Sequence, residues 1–272
     1  ENMTDDSCAY LDAVQAIAED AGRRILDIYQ REFDVQQKKD GSPVTEADEA
    51  AHAVIVPALT KLTPDVPVLS EESAQIDAAT RRAWTRFWLV DPLDGTKEFI
   101  NRNGQFTVNI ALIETGRPVL GVVHTPVTGV TYLACVGGGA HKREGKQPSR
   151  PIRARAYGGA NPVIVASRLH AGRALGGFLQ SVGAHQLTSM GRSLKFCLDS
   201  EGVADVYPRL GPTMEWDTAA AQCVVEQAGG RVVDVEGRPL RYNKPTLRNP
   251  WLITAGVGDY DWARYLPFTE EN

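Results

Sequence analysis

The chain has 272 residues, 43% hydrophobic and 23% charged, with 25 glycines and 16 prolines. At about 100–200 residues per domain that makes one large domain or two ordinary ones, and the composition excludes collagen, a coiled coil and an extended disordered chain. Its 29 basic and 34 acidic residues leave a formal charge of −5, so no global positive field is available for nucleic acid, although a local basic pocket remains open.

Leu11, Val14, Ala18, Ala21, Ile25 and Ile28 recur at three- or four-residue spacing and predict a helix over 7–30. The polar run 36–43 reads as a loop, and Thr45 as the cap of a second helix over 46–62 that Pro57 should kink or shorten. Residues 66–69 are a short strand candidate, and 87–90 an apolar strand stopped by a turn over 91–96. Segments 106–113, 117–125 and 130–136 predict an antiparallel meander. Over 137–161, glycines give way to His141, Lys142, Arg143, Lys146, Arg150, Arg153 and Arg155, the texture of a solvated hairpin or linker. Without interleaved aromatics this run does not read as a nucleic-acid surface. It divides an α+β part, 1–155, from an α/β part, 156–272. In the second part, strands at 163–166 and 203–207 alternate with helices at 171–182, 192–201 and 217–228.

No run approaches the roughly 20 apolar residues of a membrane span. The first residues lack the basic-then-apolar pattern of a signal peptide. Cys8, Cys135, Cys197 and Cys223 are far apart with no CxxC pair, and read as unpaired thiols in a reducing cytosol.

Three stretches place carboxylates directly after, or at the head of, apolar elements. In Trp88-Leu89-Val90-Asp91-Pro92-Leu93-Asp94-Gly95-Thr96, a strand delivers Asp91 to a fixed point, Pro92 turns the chain, and Asp94 returns close to Asp91. Converging carboxylates repel unless a cation lies between them, and the Leu93 carbonyl can add a further oxygen to a shell of the kind Mg²⁺ prefers. Gly95 and Thr96 then offer backbone N–H groups at a helix start, where an anion is welcome. A metal clamp beside an anion nest suits phosphoryl hydrolysis, although the same residues also read as a strand-ending turn. Glu71 and Glu72 follow the 66–69 strand in the same manner. Asp217 heads a helix, where capping competes with metal binding. Asp40 and Asp48 flank Ser42-Pro43-Val44-Thr45; their plain alternatives are a turn and a match to the helix dipole.

These motifs resemble the signature of the inositol monophosphatase superfamily of Mg²⁺-dependent, lithium-sensitive phosphatases. Within it the chain is most similar to the 3′(2′),5′-bisphosphate nucleotidase branch. The supporting stretches are Lys39 to Asp48, Trp88 to Asn109, Ser167-Arg168-Leu169-His170, Ser193 to Leu198 and Tyr207-Pro208-Arg209, within about residues 10–255. The resemblance implies an α/β fold, a layered αβαβα sandwich whose site lies between its two parts. It implies Glu71, Asp91, the Leu93 carbonyl, Asp94 and Asp217 as ligands of two or three Mg²⁺ ions, with Glu71 and Asp91 shared between them. Thr96 and Asp40 would orient and deprotonate the attacking water, with Asp48 behind the ligands or at a third metal. The backbone of Gly95 and Thr96 would cradle the phosphate being cleaved.

Lys195 and Arg209 are the candidates for a second, 5′ phosphate, and Ser167, Arg168, His170 and Ser193 for further nucleotide contacts. Their plain alternatives are surface charges for Lys195 and Arg209 and a helix cap for His170. Arg192 stands where the family usually carries a small hydroxyl residue, so it either adds a cation to the pocket or turns into solvent. The implied reaction converts adenosine 3′,5′-bisphosphate to AMP and phosphate, with 3′-phosphoadenosine 5′-phosphosulfate as a further substrate. The implied enzyme is a cytoplasmic monomer or homodimer whose partner is the small nucleotide and not nucleic acid. Some relatives are assigned to the cytoplasmic face of the inner membrane, but no amphipathic anchor is visible in this sequence. Two other readings stay open. One is a phosphatase for inositol monophosphate or fructose 1,6-bisphosphate, which would not need Lys195, Arg209 and His170 arranged for a second phosphate and an adenine. The other is a non-catalytic binding or regulatory protein on the same fold, against which stands the retention of every expected carboxylate.

Overall fold

The computed structural model describes residues 6–166, 172–191 and 193–267. Its first long helix, α1 (Leu11–Tyr29), buries the stripe Val14, Ala18, Ala21 and Ile25 completely, as their spacing predicts. After the hairpin β1 (Val35–Gln37) and β2 (Pro43–Thr45) comes α2 (Glu46–Leu62). Thr45 caps it: its backbone is extended, its hydroxyl accepts from Ala47 N at 3.2 Å, and Asp48 Oδ2 accepts from Thr45 N at 2.8 Å. Pro57 does not shorten α2, which continues to Leu62. Fully buried Ile55 and Leu59 on either side hold that turn in the core, so packing overrides the lost backbone hydrogen bond.

Helices α1 and α2 cover one face of a seven-stranded sheet. Its strands are β3 (Val68–Ser70), β4 (Arg86–Asp94), β5 (Thr107–Glu114), β6 (Arg117–Thr125), β7 (Val130–Cys135), β8 (Gly139–Glu144) and β9 (Arg150–Pro151). They lie in chain order, β3 parallel to β4 and all other neighbours antiparallel. The short helices α3 (Ala78–Arg82) and α4 (Thr96–Ile100) flank β4. Of the two readings of the run after 137, hairpin or linker, the structure takes the hairpin, with β8 and β9 paired antiparallel. Ala140 on β8 is buried, and Lys142 Nζ donates to Glu201 Oε1 at 2.7 Å, so a basic run without apolar alternation still extends the sheet.

A second, five-stranded sheet has the order β11-β10-β12-β14-β13. Its members are β10 (Val163–Val165), β11 (Gln186–Thr188), β12 (Val206–Arg209), β13 (Arg231–Asp234) and β14 (Leu252–Ala255). β10 runs parallel to β11 and β12, whereas β14 is antiparallel to β12 and β13. Between the two sheets lie α6 (Leu194–Ser200) and α7 (Glu215–Gln227), and α5 (Arg173–Val182) packs outside the second. Leu89, Ala111 and Val123 of the first sheet share one core with Ala220 and Val224 of α7 and Leu252 of the second sheet. Ile164, Phe178, Val206, Ile253 and Trp262 form the outer core. The result is the αβαβα sandwich.

Helix α7 lies unusually close to β6 at Gly121. A Cβ there would fall 2.3 Å from the Ala220 carbonyl oxygen and 2.9 Å from Cys223 Cβ, so only glycine lets the two backbones meet. The expectation of four unpaired thiols is corrected: Cys8 and Cys135 form a disulfide, while Cys197 and Cys223 are free and buried. The turn before α1 packs on the end of β7 and brings together cysteines 127 residues apart, a pairing that spacing alone does not reveal. Among the described residues no helix is long and apolar enough to cross a membrane.

Candidate active site

Strand β4 does not stop at Asp91 but continues to Asp94. Residues three apart on a regular strand face opposite sides. Here Asp91 pairs with Asn109 and Asp94 with Thr107, so the register slips between them. The extra residue on β4 lets both carboxylates turn to the same side. Pro92 is tolerated because β3 already ended its pairing at Val90. Gly95 then takes φ +95° and opens α4 with Thr96 as its first residue.

Asp217 arrives from the first turn of α7. Oxygens of Asp91, Asp94 and Asp217 lie within 4.8 Å of one another. The sequence left capping and metal binding as competing roles for Asp217, and the geometry accommodates both: Oδ2 accepts from Met214 N at 2.8 Å while the carboxylate faces Asp91 and Asp94. Asp94 is steadied by Ser193, whose N–H donates to Oδ2 at 3.1 Å and whose hydroxyl makes a short bond to the same oxygen. Thr107 Oγ1 in turn donates to Ser193 Oγ at 3.3 Å. Ser193, expected at the nucleotide, thus holds an acidic side chain in place.

Negative charge is concentrated here. Burial, then Glu71, Asp94 and Asp217, push the Asp91 carboxyl well above the ordinary range. Burial and then Asp94 push Asp217 up to about 7. An oxygen-only cluster with surplus negative charge fits a hard cation. Glu71 follows β3, and Lys38 donates to Glu71 Oε1 at 3.2 Å and to Glu72 Oε1 at 2.9 Å. Burial opposes the Lys38 charge, yet the two glutamates raise its pKa. Lys38 escaped the sequence reading because a lysine in a polar loop carries no local signal of its partner.

The expected pairing of Thr96 with Asp40 is corrected. Thr96 Oγ1 donates to Asp48 Oδ1 at 2.9 Å, whereas Asp40 sits in an exposed turn, accepting from Ser42 N at 2.9 Å and Ser42 Oγ at 2.6 Å. Those two bonds hold the Asp40 carboxyl low and give it a structural partner of its own. Asp48 is buried, and that burial raises its carboxyl against the hydrogen bonds from Thr45 and Thr96. A signal for this was present in the sequence, since Asp48 stands three residues after the cap Thr45.

Over residues 6–257 the sequence matches the inositol monophosphatase family. The chain belongs to that family. It is 50% identical over 243 residues to the 3′(2′),5′-bisphosphate nucleotidase CysQ of Escherichia coli (strain K12), covering 88% of this chain and 97% of that protein. It is 36% identical over 269 residues to the CysQ of Haemophilus influenzae, covering 95% and 97%. Among solved structures, CysQ from Bacteroides thetaiotaomicron superposes with a TM-score of 0.78 at 42% identity, covering 89% of this chain and 95% of that one. The inositol monophosphatase from Anabaena, at 23% identity and a TM-score of 0.77 over 95% and 96%, shares the fold. The family is metal-dependent, and the Asp91, Asp94 and Asp217 cluster can bind a metal ion.

Lys195 on α6 and Arg209 at the end of β12 line one small cavity together with Asp94, Ser193, Thr213 and Asp217. The Lys195 ammonium lies 5.8 Å from the centre of the buried Tyr207 ring. Arg209 is half-buried, and its Nη2 donates to Pro212 O at 3.4 Å. Ser167, Arg168, His170 and Arg192 lie outside the described residues.

Proposed function

We propose that this chain is a Mg²⁺-dependent 3′(2′),5′-bisphosphate nucleotidase that converts adenosine 3′,5′-bisphosphate to AMP and phosphate and also accepts 3′-phosphoadenosine 5′-phosphosulfate. The observation that carries this reading is the shared cavity. Two cations, Lys195 and Arg209, line the same cavity as Asp94 and Asp217, so a substrate with two phosphates can meet both the carboxylates and the cations. A small sugar monophosphate brings no second phosphate for this pair to hold. Identity of 50% to a 3′(2′),5′-bisphosphate nucleotidase supports the same choice.

In this mechanism Glu71, Asp91, the Leu93 carbonyl, Asp94 and Asp217 would hold the Mg²⁺ ions. When bound, Mg²⁺ supplies charge neutralisation for the phosphate oxygens and lowers the pKa of water. The Thr96 hydroxyl donates to Asp48, which leaves its lone pairs to accept from the attacking water and to aim it. A water oxygen forms the new bond to phosphorus, the bond from phosphorus to the 3′ oxygen breaks, and the 3′ oxygen leaves with a proton. N–H groups of Gly95 and Thr96 face the transferred phosphate. Lys195 and Arg209 hold the 5′ phosphate, Arg209 through its planar fork.

Hydrolysis in ¹⁸O-labelled water tests the reading. AMP and phosphate should form in equal amounts, with one label in phosphate and none in AMP. Absence of turnover with Mg²⁺ present, or label in AMP, would contradict it.

A further inference from the structure

A cavity of about 770 Å³ lies along the segment between β13 and β14, apart from the carboxylate cluster. Its size suits a small organic ligand. Its wall carries Arg238, Arg241, Lys244 and Arg248 against a single acidic residue, Asp234. In a chain of net charge −5 this concentration of cations stands out.

Two of the four cations are already engaged. Arg238 pairs with Asp234 at 3.1 Å and with Glu236 at 2.8 Å. Lys244 Nζ pairs with the fully buried Glu215 at 2.5 Å. Arg241 and Arg248 are exposed, and among the described residues their guanidinium groups make no hydrogen bond or ion pair; Arg241 acts on Glu226 only through its longer-range field. Two uncommitted guanidinium forks on one concave wall form a receptor for adjacent anionic groups.

The same wall is joined to the helix that carries Asp217. Arg248 pairs with Met214 in an antiparallel bridge, Glu215 N donates to Leu247 O at 2.8 Å, and Asn249 Nδ2 donates to Met214 O at 3.0 Å. Met214 caps α7, and Asp217 is the third residue of that helix. An anion that draws on Arg248 or Lys244 therefore acts on the turn that aims Asp217.

We propose that this cavity is a second binding site, for a small polyanion bearing at least two adjacent phosphate-type groups, and that its occupancy is coupled to the metal centre through the first turn of α7. Linkage then requires that the anion and the metal alter each other's affinity.

Pyrophosphate is the probe, titrated by calorimetry into the metal-free protein. Without a metal ion the carboxylate cluster repels anions, and Arg209→Ala reports any pyrophosphate held by the cations of the catalytic cleft. We expect one bound pyrophosphate per chain, at least tenfold weaker binding in the double variant Arg241→Gln/Arg248→Gln, and little change in Arg209→Ala. A melting temperature within a few degrees of the parent establishes that the double variant is folded; should it not be, Arg241→Lys and Arg248→Lys singly, which keep the charge but lose the fork, are expected to weaken binding in its place. No binding to the parent, or a loss caused by Arg209→Ala while the Arg241 and Arg248 variants bind as the parent does, overturns the proposal. The readout is binding and not turnover, so it stands or falls separately from the nucleotidase reading.

Discussion

The Thr96 hydroxyl donates to Asp48 Oδ1 at 2.9 Å, while the other oxygen of Asp48 accepts from both the N–H and the hydroxyl of Thr45 at 2.8 Å. One buried carboxylate thus closes the start of α2 and fixes the rotamer of a side chain at the start of α4. Asp48→Asn presents an amide in place of one oxygen, so either the cap or the bond to Thr96 is lost. The expected result is a fall in kcat of about 10²–10⁴-fold, the usual contribution of a positioned proton acceptor. Loss of the cap should cost about 1 kcal/mol of stability. Thr96→Ala should show the kinetic loss with far less loss of stability. Calorimetric Mg²⁺ titration should find metal binding preserved in Thr96→Ala, and abolition there would make Thr96 a support of the loop.

The carboxylate cluster makes a prediction about pH. Burial and then Asp94 raise Asp217 to about 7, and Asp91 is raised well above its ordinary value, also chiefly by burial. Unfolded carboxyls titrate near about 4. Between those values the folded chain binds more protons than the unfolded one, so its stability falls as pH rises. The metal-free protein should therefore lose melting temperature between about pH 4 and pH 7. Mg²⁺ competes with the same protons and should raise the melting temperature more at pH 7 than at pH 5. Scanning calorimetry in chelator and in Mg²⁺ would detect this. A metal-induced shift that shrinks toward pH 7 would contradict the placement of the ions among Asp91, Asp94 and Asp217.

Removing one cluster charge separates stability from function. Without metal, Asp94→Asn should show a shallower fall of melting temperature between about pH 4 and pH 7 than the parent, because Asp91 and Asp217 lose a neighbour that raises their carboxyls. It should also lose most Mg²⁺-dependent turnover. Thermal denaturation and phosphate release on the same preparation check both halves.

Much of this site was legible in the sequence because its carboxylates adjoin apolar segments or head a helix, which fix a side chain's position. Asp91 and Asp94 follow the buried run Phe87, Trp88, Leu89 and Val90, and Asp217 heads a helix that buries Ala219, Ala220 and Val224. What the sequence could not supply was partnership across loops. Asp40 and Asp48 both flank the Ser42-to-Thr45 segment, and only the fold tells that Asp40 closes its own turn while Asp48 faces Thr96. Ser193 meets Asp94 across 99 residues, and Lys38 meets Glu71 across 33. For β8 and β9 the sequence left hairpin and linker both open for another reason: a sheet margin covered on one side by charged partners such as Glu201 shows no apolar alternation.

The close approach of α7 to β6 gives a prediction remote from the chemistry. In Gly121→Ala the new methyl would lie 2.3 Å from the Ala220 carbonyl oxygen, so α7 must shift outward. Overpacking of this kind costs about 1–3 kcal/mol, and the shift moves Asp217 away from Asp91 and Asp94. Mg²⁺ affinity should weaken along with stability, as calorimetry would report. A stability loss with unchanged metal affinity would show that the start of α7 is held independently of its middle.

Substrate choice, in the proposed reading, rests on Lys195 and Arg209. Arg209→Ala removes a charge-assisted contact worth about 1.5–3 kcal/mol, so KM for adenosine 3′,5′-bisphosphate should rise by about 10- to 100-fold. Turnover of a small monophosphate should change little, as steady-state kinetics on both substrates would show.

In the proposed reading, one cavity joins a metal-binding carboxylate cluster to a cationic pocket for a second phosphate. The most direct test of this reading is phosphate release from adenosine 3′,5′-bisphosphate and from inositol 1-phosphate side by side, each with and without Mg²⁺. Mg²⁺-dependent release is expected, with kcat/KM for the bisphosphate about 100-fold or more above that for inositol 1-phosphate, the scale on which a site built to bind a polar group rejects a substrate lacking it. Equal rates on both substrates, a preference for inositol 1-phosphate, or release that persists without a divalent metal would contradict it.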